Sequence, residues 1–456
     1  MTPRRKSNSP KSKSVPPLLP TLHPHAAGLD VGARQIYVAV PPGADARPVR
    51  SFPTFTEDLH ALRDWLIASG VTTVAMESTG VYWIPLFQIL EAAGLEVCLV
   101  NARHCKNLPG RKTDVQDCQW LQHLHSVGLL RGSFRPADQV CAVRAILRHR
   151  DGLLHGASRC VSHLHKALTQ MNIQLQHVIS DLTGVTGLAI LEAILAGERD
   201  PQKLAALKDR RIKASRDVIA KSLCGDWRDE HLFTLRQSFA LWQKHQALIT
   251  ECDEEMATLL QTFDARAENE IVPALAKPSH NKAQKNEPQF GVRQECYRVL
   301  GVDLTAVPGL AGPTVLVLLG ELGPEFADKF PTAKHFGSWL GLCPDNRITG
   351  GKIYSVRTRD VKSRVAQALR LAARSLWRAQ NYFGELYRRW KARLGSPKAI
   401  TAMAHKLARI LWHLLKYKEP FNPEVFAKEE EKMKRKKVAR LQNLAAALNY
   451  QLIPNQ

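Results

Sequence analysis

Four carboxylates in the first 120 residues stand where predicted secondary-structure elements end or begin. Asp30 lies near the end of one predicted strand, and Glu77 lies at the carboxyl end of another. Asp114 and Asp117 open a predicted helix that Thr113 can cap, and their spacing of three places both on one helix face. Such oxygen ligands suit Mg²⁺ or Mn²⁺, and a pair of these ions would polarise a phosphodiester. The pattern therefore indicates magnesium chemistry on nucleic acid.

Each of these acids also has an ordinary alternative. An isolated Asp at a strand end is commonly a turn former, and an Asp pair three residues apart is commonly a solvated helix face. Bringing four carboxylates into one cleft costs several kcal/mol unless protons or a cation neutralise them. The set of four in this order, together with the charge of the chain, favours the metal site.

The charge balance of the 456-residue chain predicts an anionic partner. The sequence holds 64 Lys and Arg against 42 Asp and Glu, with a formal net charge of +22 and a pI near 9.8. Residues 347–440 alone carry 25 Lys and Arg against seven acids. Interleaved aromatic residues could stack on bases, although their helical spacing favours a core role: Trp377, Tyr382, Phe383, Tyr387, Trp390 and Trp412. This concentration predicts nucleic-acid binding by the carboxyl-terminal part.

A second candidate site is a hydroxyl on a glycine-rich loop. Thr349 is followed by Gly350 and Gly351, and its hydroxyl could attack a phosphodiester while neighbouring cations neutralise the transition state. The ordinary alternative is a tight hairpin turn. The candidate nucleic-acid-binding cations around this loop are Arg347, Lys352, Arg357 and Arg359.

These residues need a scaffold, and the patterning predicts an α/β fold followed by mainly helical segments. A first domain at 25–130 is predicted with three strands and then an αβαβα order, which is the ribonuclease-H-like (RuvC-like) order. The predicted strands lie near 27–31, 35–40, 48–52, 72–76 and 95–100, and the predicted helices near 57–69, 82–93 and 114–127.

A helical connector is predicted at 131–263. Apolar residues recur at sevens in its second half, at Leu235, Trp242, Ile249 and Met256, which suggests a coiled coil. Asp253, where an apolar residue would be wanted, weakens that pattern. Dimerisation through this segment and an intramolecular helical hairpin both fit.

The remaining segments are assigned from composition. We predict a disordered basic tail at 1–24, a polar linker at 264–298 and a mainly helical domain at 299–425, followed by a basic tail at 426–456. The turn around Pro308 and Gly309 resembles half of a helix-hairpin-helix, or is an ordinary interhelical turn. The nine cysteines show no zinc spacing and are expected to be free thiols, and the chain offers neither a signal peptide nor a membrane span.

Several short motifs together resemble the DEDD-type insertion-sequence transposases of the one-ten family, which are related to the Piv-like DNA invertases. The resemblance covers about residues 26–420. The motifs that carry it are Gly28-Leu29-Asp30-Val31, Glu77-Ser78-Thr79-Gly80-Val81-Tyr82, Asn101-Ala102-Arg103, Lys112-Thr113-Asp114 with Asp117, Val307-Pro308-Gly309 and Gly341-Leu342-Cys343-Pro344.

The resemblance implies a RuvC-like domain, a coiled-coil connector and a carboxyl-terminal transposase domain. It implies that Asp30, Glu77, Asp114 and Asp117 bind the metal and that the protein recombines DNA. The partners it implies are element-end and target DNA, a structured guide RNA and further copies of the chain in a dimer or tetramer. It implies a bacterial cytoplasmic protein that works at the nucleoid.

One departure from the family concerns the nucleophile. The family has a serine before glycine in the loop after the Gly-Leu-x-Pro stretch, and this chain has Thr349. A threonine carries the same hydroxyl but adds a methyl that restricts χ1 and crowds the attacked phosphorus. Three interpretations stay open: Thr349 is the nucleophile, Ser355 has replaced it, or this copy is impaired. Smaller departures are Cys118 and Ala311, where alanine and glycine are usual.

Three other functions fit parts of the pattern. A metal-dependent junction nuclease would use water and form no covalent protein–DNA species. A non-catalytic nucleic-acid-binding protein would bind without magnesium and with strong salt dependence. An actin-like phosphotransferase also places Leu-Asp-Val-Gly after a first strand, but the sequence lacks the second glycine-rich phosphate loop that it requires.

Overall fold

The computed structural model describes residues 20–101, 113–268, 271–275 and 285–451. The chain divides into two compact units, Met1–Arg135 and Pro136–Gln456. The predicted disordered tail lies outside the described residues up to position 19, as does Lys112 of the motif before Asp114.

The first unit is built on a five-stranded mixed sheet. The strand order is β3-β2-β1-β4-β5, in which β1 pairs antiparallel with β2 and parallel with β4. Pairing of β2 with β3 is antiparallel, and pairing of β4 with β5 is parallel. Each strand begins and ends within one residue of its predicted position. The strands are β1 Ala26–Val31, β2 Gln35–Ala39, β3 Val49–Pro53, β4 Thr73–Glu77 and β5 Glu96–Val100.

Three helices accompany this sheet at the predicted positions: α1 Thr56–Ala68, α2 Trp83–Ala92 and α3 Asp114–Ser126. Leu59, Leu62 and Leu66 of α1 are buried, and their spacing forms the apolar stripe of an amphipathic helix. Every residue of β4 is buried, as expected for a central parallel strand covered on both faces. The mixed α/β sheet predicted for this part of the chain is therefore present.

The first half of the second unit is helical. Its two longest helices, α4 and α8, contain 33 residues each. They run antiparallel within one chain, because Gln139 of α4 bonds to Thr262 just after α8, while Arg150 pairs with Asp253. The helices are α4 Asp138–Gln170, α5 Val185–Leu195, α6 Pro201–Ala206, α7 Arg216–Ser222 and α8 Asp229–Gln261.

The heptad-spaced residues of α8 are core residues. Leu235, Trp242, Ile249 and Met256 are all buried. Asp253 is also buried, and its carboxylate accepts from the guanidinium of Arg150 at 2.5 and 3.1 Å. The charged residue that weakened the heptad pattern thus has its partner on α4, as a buried carboxylate requires.

The second half of this unit is also mainly helical, with one two-stranded sheet. Its elements are α9 Val292–Leu300, α10 Gly312–Leu322, α11 Phe326–Lys329, α12 Ala333–Trp339, β6 Arg347–Thr349, β7 Lys352–Ser355, α13 Arg364–Ser375, α14 Tyr382–Leu394, α15 Ser396–Tyr417 and α16 Ala427–Ala447. In α15, Met403, Leu407 and Leu411 are buried at helical spacing and form part of the core.

Two predicted segment boundaries differ from the structure. The predicted linker at 264–298 contains most of α9, because Val292, Cys296 and Val299 are buried at helical spacing. The predicted basic tail at 426–456 is largely the helix α16, which has no buried residue.

The eight cysteines in the described parts are free thiols. Cys224 is exposed, whereas Cys118, Cys160, Cys252 and Cys296 are buried. In the described ranges, no helix is both long and apolar enough to span a membrane.

Candidate functional site

Asp30 and Glu77 lie side by side on neighbouring strands. The parallel register pairs Leu29 with Met76, so Asp30, one residue before the end of β1, lies beside Glu77, the last residue of β4, at the same edge of the sheet. Asp30 is half-buried and Glu77 is only 8% exposed. The hydroxyl of Thr79 donates to Oε1 of Glu77 at 2.8 Å, which orients this carboxylate.

Helix α3 packs directly on β1 at a glycine. A Cβ at Gly28 would lie 2.3 Å from the carbonyl oxygen of Cys118 and 2.2 Å from the backbone nitrogen of Gln122. The side-chain amide of Gln122 also donates to the carbonyl of Ala26 at 3.2 Å. Only glycine allows this approach, so the Gly28 of the motif serves helix packing.

This packing sets the direction of α3 and therefore the place of its acids. Position 122 lies beside the start of β1 and position 118 beside its middle, so α3 runs opposite to β1. Its first turn, with Asp114 and Asp117, points towards the end of β1 that carries Asp30. The predicted cap is present, because Thr113 accepts from the backbone N–H of Gln116.

Two of these carboxylates, those of Asp30 and Asp117, affect the pKa of the thiol of Cys118. The pKa of Cys118 is raised to about 12, chiefly by burial and in smaller part by the negative charges of Asp30 and Asp117. Carboxylates from β1 and from α3 therefore act on one buried atom. The thiol stays protonated at neutral pH and donates to the carbonyl of Val115 at 3.2 Å.

A buried histidine fastens α3 to the sheet, and the sequence reading missed it. Nε2 of His125 lies 2.9 Å from the hydroxyl of Thr73 on β4. Burial lowers the pKa of His125, and the charge of His23, whose ring stacks on it, lowers it further. The neutral imidazole therefore holds the helix that presents Asp114 and Asp117.

The four acids approach one edge of the sheet without forming a closed cluster. In residues 20–101, 113–268, 271–275 and 285–451, no three His, Cys, Asp or Glu side chains are close enough to hold a metal ion. Asp114 is exposed and Asp117 half-buried, so both carboxylates remain accessible. The donor chemistry fits a hard cation such as Mg²⁺ or Mn²⁺. We call Asp30, Glu77, Asp114 and Asp117 the acid edge.

The glycine-rich loop is the turn of a β-hairpin. Strands β6 and β7 are joined by Gly350 and Gly351, whose φ angles are +56° and +76°. Two successive positive φ values define the turn that suits the twist of a two-residue hairpin, and they favour glycine at both positions. We call residues 347–355 the hydroxyl hairpin.

The register of this hairpin places Thr349 on one face with Lys352, and places Ser355 opposite Arg347 across an irregularity. The register pairs Thr349 with Lys352 and Arg347 with Ser355, with an irregularity between Arg347 and Ile348. Cross-strand partners share a face, and so do residues two apart on a strand. Thr349 is exposed, whereas Ser355 is half-buried and accepts from the backbone N–H of Arg357 at 3.3 Å. The hydroxyl of Thr349 is therefore the more accessible of the two.

The predicted binding cations surround this face, and one of them also has a packing role. Arg347, Lys352, Arg357 and Arg359 are all exposed. The guanidinium of Arg359 donates to the carbonyl of Ser338 at the end of α12 and so anchors the chain that leaves the hairpin. The sequence reading missed this anchor, because Ser338 lies 21 residues away.

The base of the hairpin has two further fastenings. The backbone N–H of Asp345 donates to the carbonyl of Arg357 at 2.9 Å. The thiol of Cys343 lies 3.5 Å from Nε2 of His405 on α15. The stem is therefore tied to the helical core, while the strands project from it.

Other predicted nucleic-acid contacts take packing roles. Gly309 has a φ of +93°, and a Cβ there would lie 3.0 Å from the carbonyl oxygen of Ala372, so this turn packs on α13. Its role in phosphate binding stays a prediction. Trp377 is 45% exposed and carries the ammonium of Lys391 at 3.8 Å from its ring centroid. Most of the other aromatics proposed for stacking are buried: Tyr382, Phe383, Tyr387 and Trp412.

Comparison with known proteins places both candidate sites in matched segments. Residues 27–173, which contain the acid edge, match a transposase model of the DEDD type named for IS110. Residues 303–388, which contain the hydroxyl hairpin, match the model described as "Transposase IS116/IS110/IS902 family". Both models describe insertion-sequence transposases. The chain belongs to the IS110 family of these proteins, as its motifs predicted.

A relative in Streptomyces coelicolor supports the same assignment. The "Insertion element IS110 uncharacterized 43.6 kDa protein" is 28% identical to this chain over 151 residues. The match covers 32% of this chain and 36% of the relative.

Proposed function

We propose that this protein cuts and rejoins DNA at the ends of an insertion sequence. The observation that carries the proposal is the acid edge: Asp30 and Glu77 lie near the ends of adjacent parallel strands, and α3 directs its two aspartates to the same end. The strand order also supports a ribonuclease-H-like (RuvC-like) class for the first unit. A solvated set of acids would not need three elements directed to one edge.

In this proposal Asp30, Glu77, Asp114 and Asp117 hold Mg²⁺ or Mn²⁺. The bound ion would polarise the phosphodiester and stabilise charge on its oxygens. The hydrogen bond from Thr79 keeps Glu77 oriented, and the first turn of α3 presents the two aspartates. Without a cation these carboxylates repel the DNA backbone.

The hydroxyl of Thr349 is the proposed nucleophile. Its Oγ1 forms a bond to phosphorus, the bond from phosphorus to one strand oxygen breaks, and the threonine proton ends on the oxygen that leaves. A free hydroxyl end and a phosphothreonine result. Attack by a hydroxyl end of the second duplex reverses the step and restores Thr349. Arg347 and Lys352 on the same hairpin face neutralise the charge that develops on the phosphate.

The partners proposed are DNA, a structured guide RNA and further copies of the chain. The excess of cations in residues 347–440 supports contact with nucleic-acid backbones. The paired helices α4 and α8 support an antiparallel coiled coil inside one chain. Copies of the chain would then associate through a different surface. A role at the bacterial nucleoid follows from the proposed substrate.

The first experiment is a denaturing gel of the purified protein with magnesium, element-end DNA and the flanking noncoding RNA. The parent is compared with Thr349→Ala, Thr349→Ser and Ser355→Ala. We expect a covalent protein–DNA band in the parent, in Thr349→Ser and in Ser355→Ala, and at least about a thousandfold less in Thr349→Ala. Removal of magnesium by a chelator should abolish the band.

Each alternative predicts a different gel. A band lost only in Ser355→Ala would move the nucleophile to Ser355. Cleavage without a covalent band would indicate a nuclease that uses water. Binding without any strand breakage in every sample, including Thr349→Ser, would indicate a non-catalytic protein or an impaired copy.

A further inference from the structure

The second face of the hydroxyl hairpin is apolar and exposed. Ile348 and Ile353 are direct cross-strand partners, so they share the face opposite to Thr349. They are 61% and 63% exposed, whereas Tyr354 follows Lys352 by two residues and therefore lies on the face of Thr349. A two-stranded hairpin is marginally stable in water, and this one places paired β-branched residues in solvent. Such a face is typical of a surface that another molecule covers.

The charge of the hairpin indicates the occupant. Residues 345–360 contain four cations and two acids, Asp345 and Asp360, and Asp345 lies 3.9 Å from Arg347, so the hairpin keeps a net positive charge. A two-stranded ribbon of this width fits a groove of duplex DNA, where cations contact phosphates. Apolar side chains of architectural proteins insert between base pairs and partially unstack them. Charge and shape together favour DNA over a second protein surface.

We propose that the hydroxyl hairpin enters a groove of duplex DNA and wedges Ile348 and Ile353 between adjacent base pairs. The opposite face then carries Thr349 to a neighbouring phosphate, so one ribbon both distorts the duplex and presents the hydroxyl. The position of that phosphate rests on the proposed function, whereas the wedge itself does not.

The test uses the full chain and duplexes of the element ends, with 2-aminopurine placed at successive positions. This base fluoresces when it is unstacked. Binding of the parent should increase the fluorescence at one base-pair step. With the double variant Ile348→Ala/Ile353→Ala this increase should be about tenfold smaller. Its binding should weaken by less than about threefold, because the phosphate contacts remain. Ile348→Val/Ile353→Val should restore the rise.

Two controls separate this inference from the proposed function. Val185→Ala removes an apolar side chain of similar exposure, 65%, from the start of α5 and should leave the fluorescence unchanged. Thr349→Ala should still unstack the step although it forms no covalent product. If the parent chain unstacks the DNA but does not cut it, the proposed function is refuted and the inferred insertion of Ile348 and Ile353 still stands.

The inference is overturned if no scanned position gains fluorescence with the parent, or if the double variant retains the full rise. It is also overturned if the double variant instead changes the oligomeric state measured by light scattering with unaltered fluorescence. That result would assign the apolar face to contact between copies of the chain.

Discussion

The acid edge and the hydroxyl hairpin differ in how the rest of the chain supports them. Asp30 and Glu77 lie near the ends of strands whose other residues are almost all buried, and the helix with Asp114 and Asp117 packs on the sheet at a glycine. The hydroxyl hairpin is exposed along both strands except at Ser355, and its fastenings lie at its stem.

This difference separates the expected effects of mutation. A change in the buried contacts that position the acid edge alters both chemistry and stability, because the same residues position the acids and hold the first unit together, whereas a change of an exposed acid alters chemistry alone. A change in the hydroxyl hairpin alters chemistry or binding and leaves folding nearly intact, since exposed side chains contribute little to stability. The predictions below test that separation.

The largest expected effect is on activity at the acid edge. Asp114→Asn should lower recombination by at least about a thousandfold, because it removes a charged ligand for the cation. The fold should stay intact, since Asp114 is exposed. The measurement is recombination of element-end DNA, together with circular dichroism. Asp58→Asn, in the first turn of α1, is the matched control and should act like the parent. Recombination by Asp114→Asn at the parent rate would refute the metal site.

The next effect is on stability and follows from the contact of α3 with β1. Gly28→Ala should destabilise the first unit by about 3 kcal/mol, because the added Cβ would overlap backbone atoms of Cys118 and Gln122. Urea unfolding of the full chain measures this loss. Gly132→Ala is the control, since a Cβ there would lie 3.6 Å from Cys98, which is ordinary contact. Equal stability of the two variants would contradict the packing of α3 on β1.

The smallest effect is a pH dependence that acts on the helix of the acid edge. The pKa of His125 is lowered in the folded state, so below its ordinary value of 6.5 the unfolded chain takes up a proton that the folded chain resists. Stability should therefore be fully present above pH 6.5 and decline as the pH falls. Thermal unfolding at several pH values measures this decline.

A pair of variants on α3 tests the assignment of that pH dependence. His125→Gln should make the decline shallower, leaving the part that buried His405 contributes, while His123→Gln, at an exposed position of the same helix, should retain the full decline. A decline of the same size in both variants would mean that another group is responsible.

The sequence predicted the strands and helices of the first unit to within one residue. That was possible because their signals are local: β-branched runs, apolar stripes and the cap at Thr113 depend on neighbouring residues. It also placed Asp30 and Glu77 at strand ends and Thr349 beside a glycine turn. The heptad spacing of α8 was recognised for the same reason, but it was interpreted as a coiled coil and its partner was left open.

The contacts between distant residues came only from the tertiary structure. A heptad pattern is the same whether its partner lies in the same chain or in another, so only the fold showed that α4 and α8 pair and that Asp253 meets Arg150. The anchors at His125 and Arg359 were missed because their partners, Thr73 and Ser338, are remote in sequence.

The amino-acid sequence by itself determined which residues can do chemistry here: four carboxylates, a hydroxyl and a concentration of cations, with the elements that carry them. The tertiary structure decided how α3 aims its aspartates and which residues share a face of the hydroxyl hairpin. The physical reason is that side-chain chemistry and local periodicity depend only on neighbouring residues. The direction of a helix and the register of a strand pair depend on packing between segments that come together only when the chain folds.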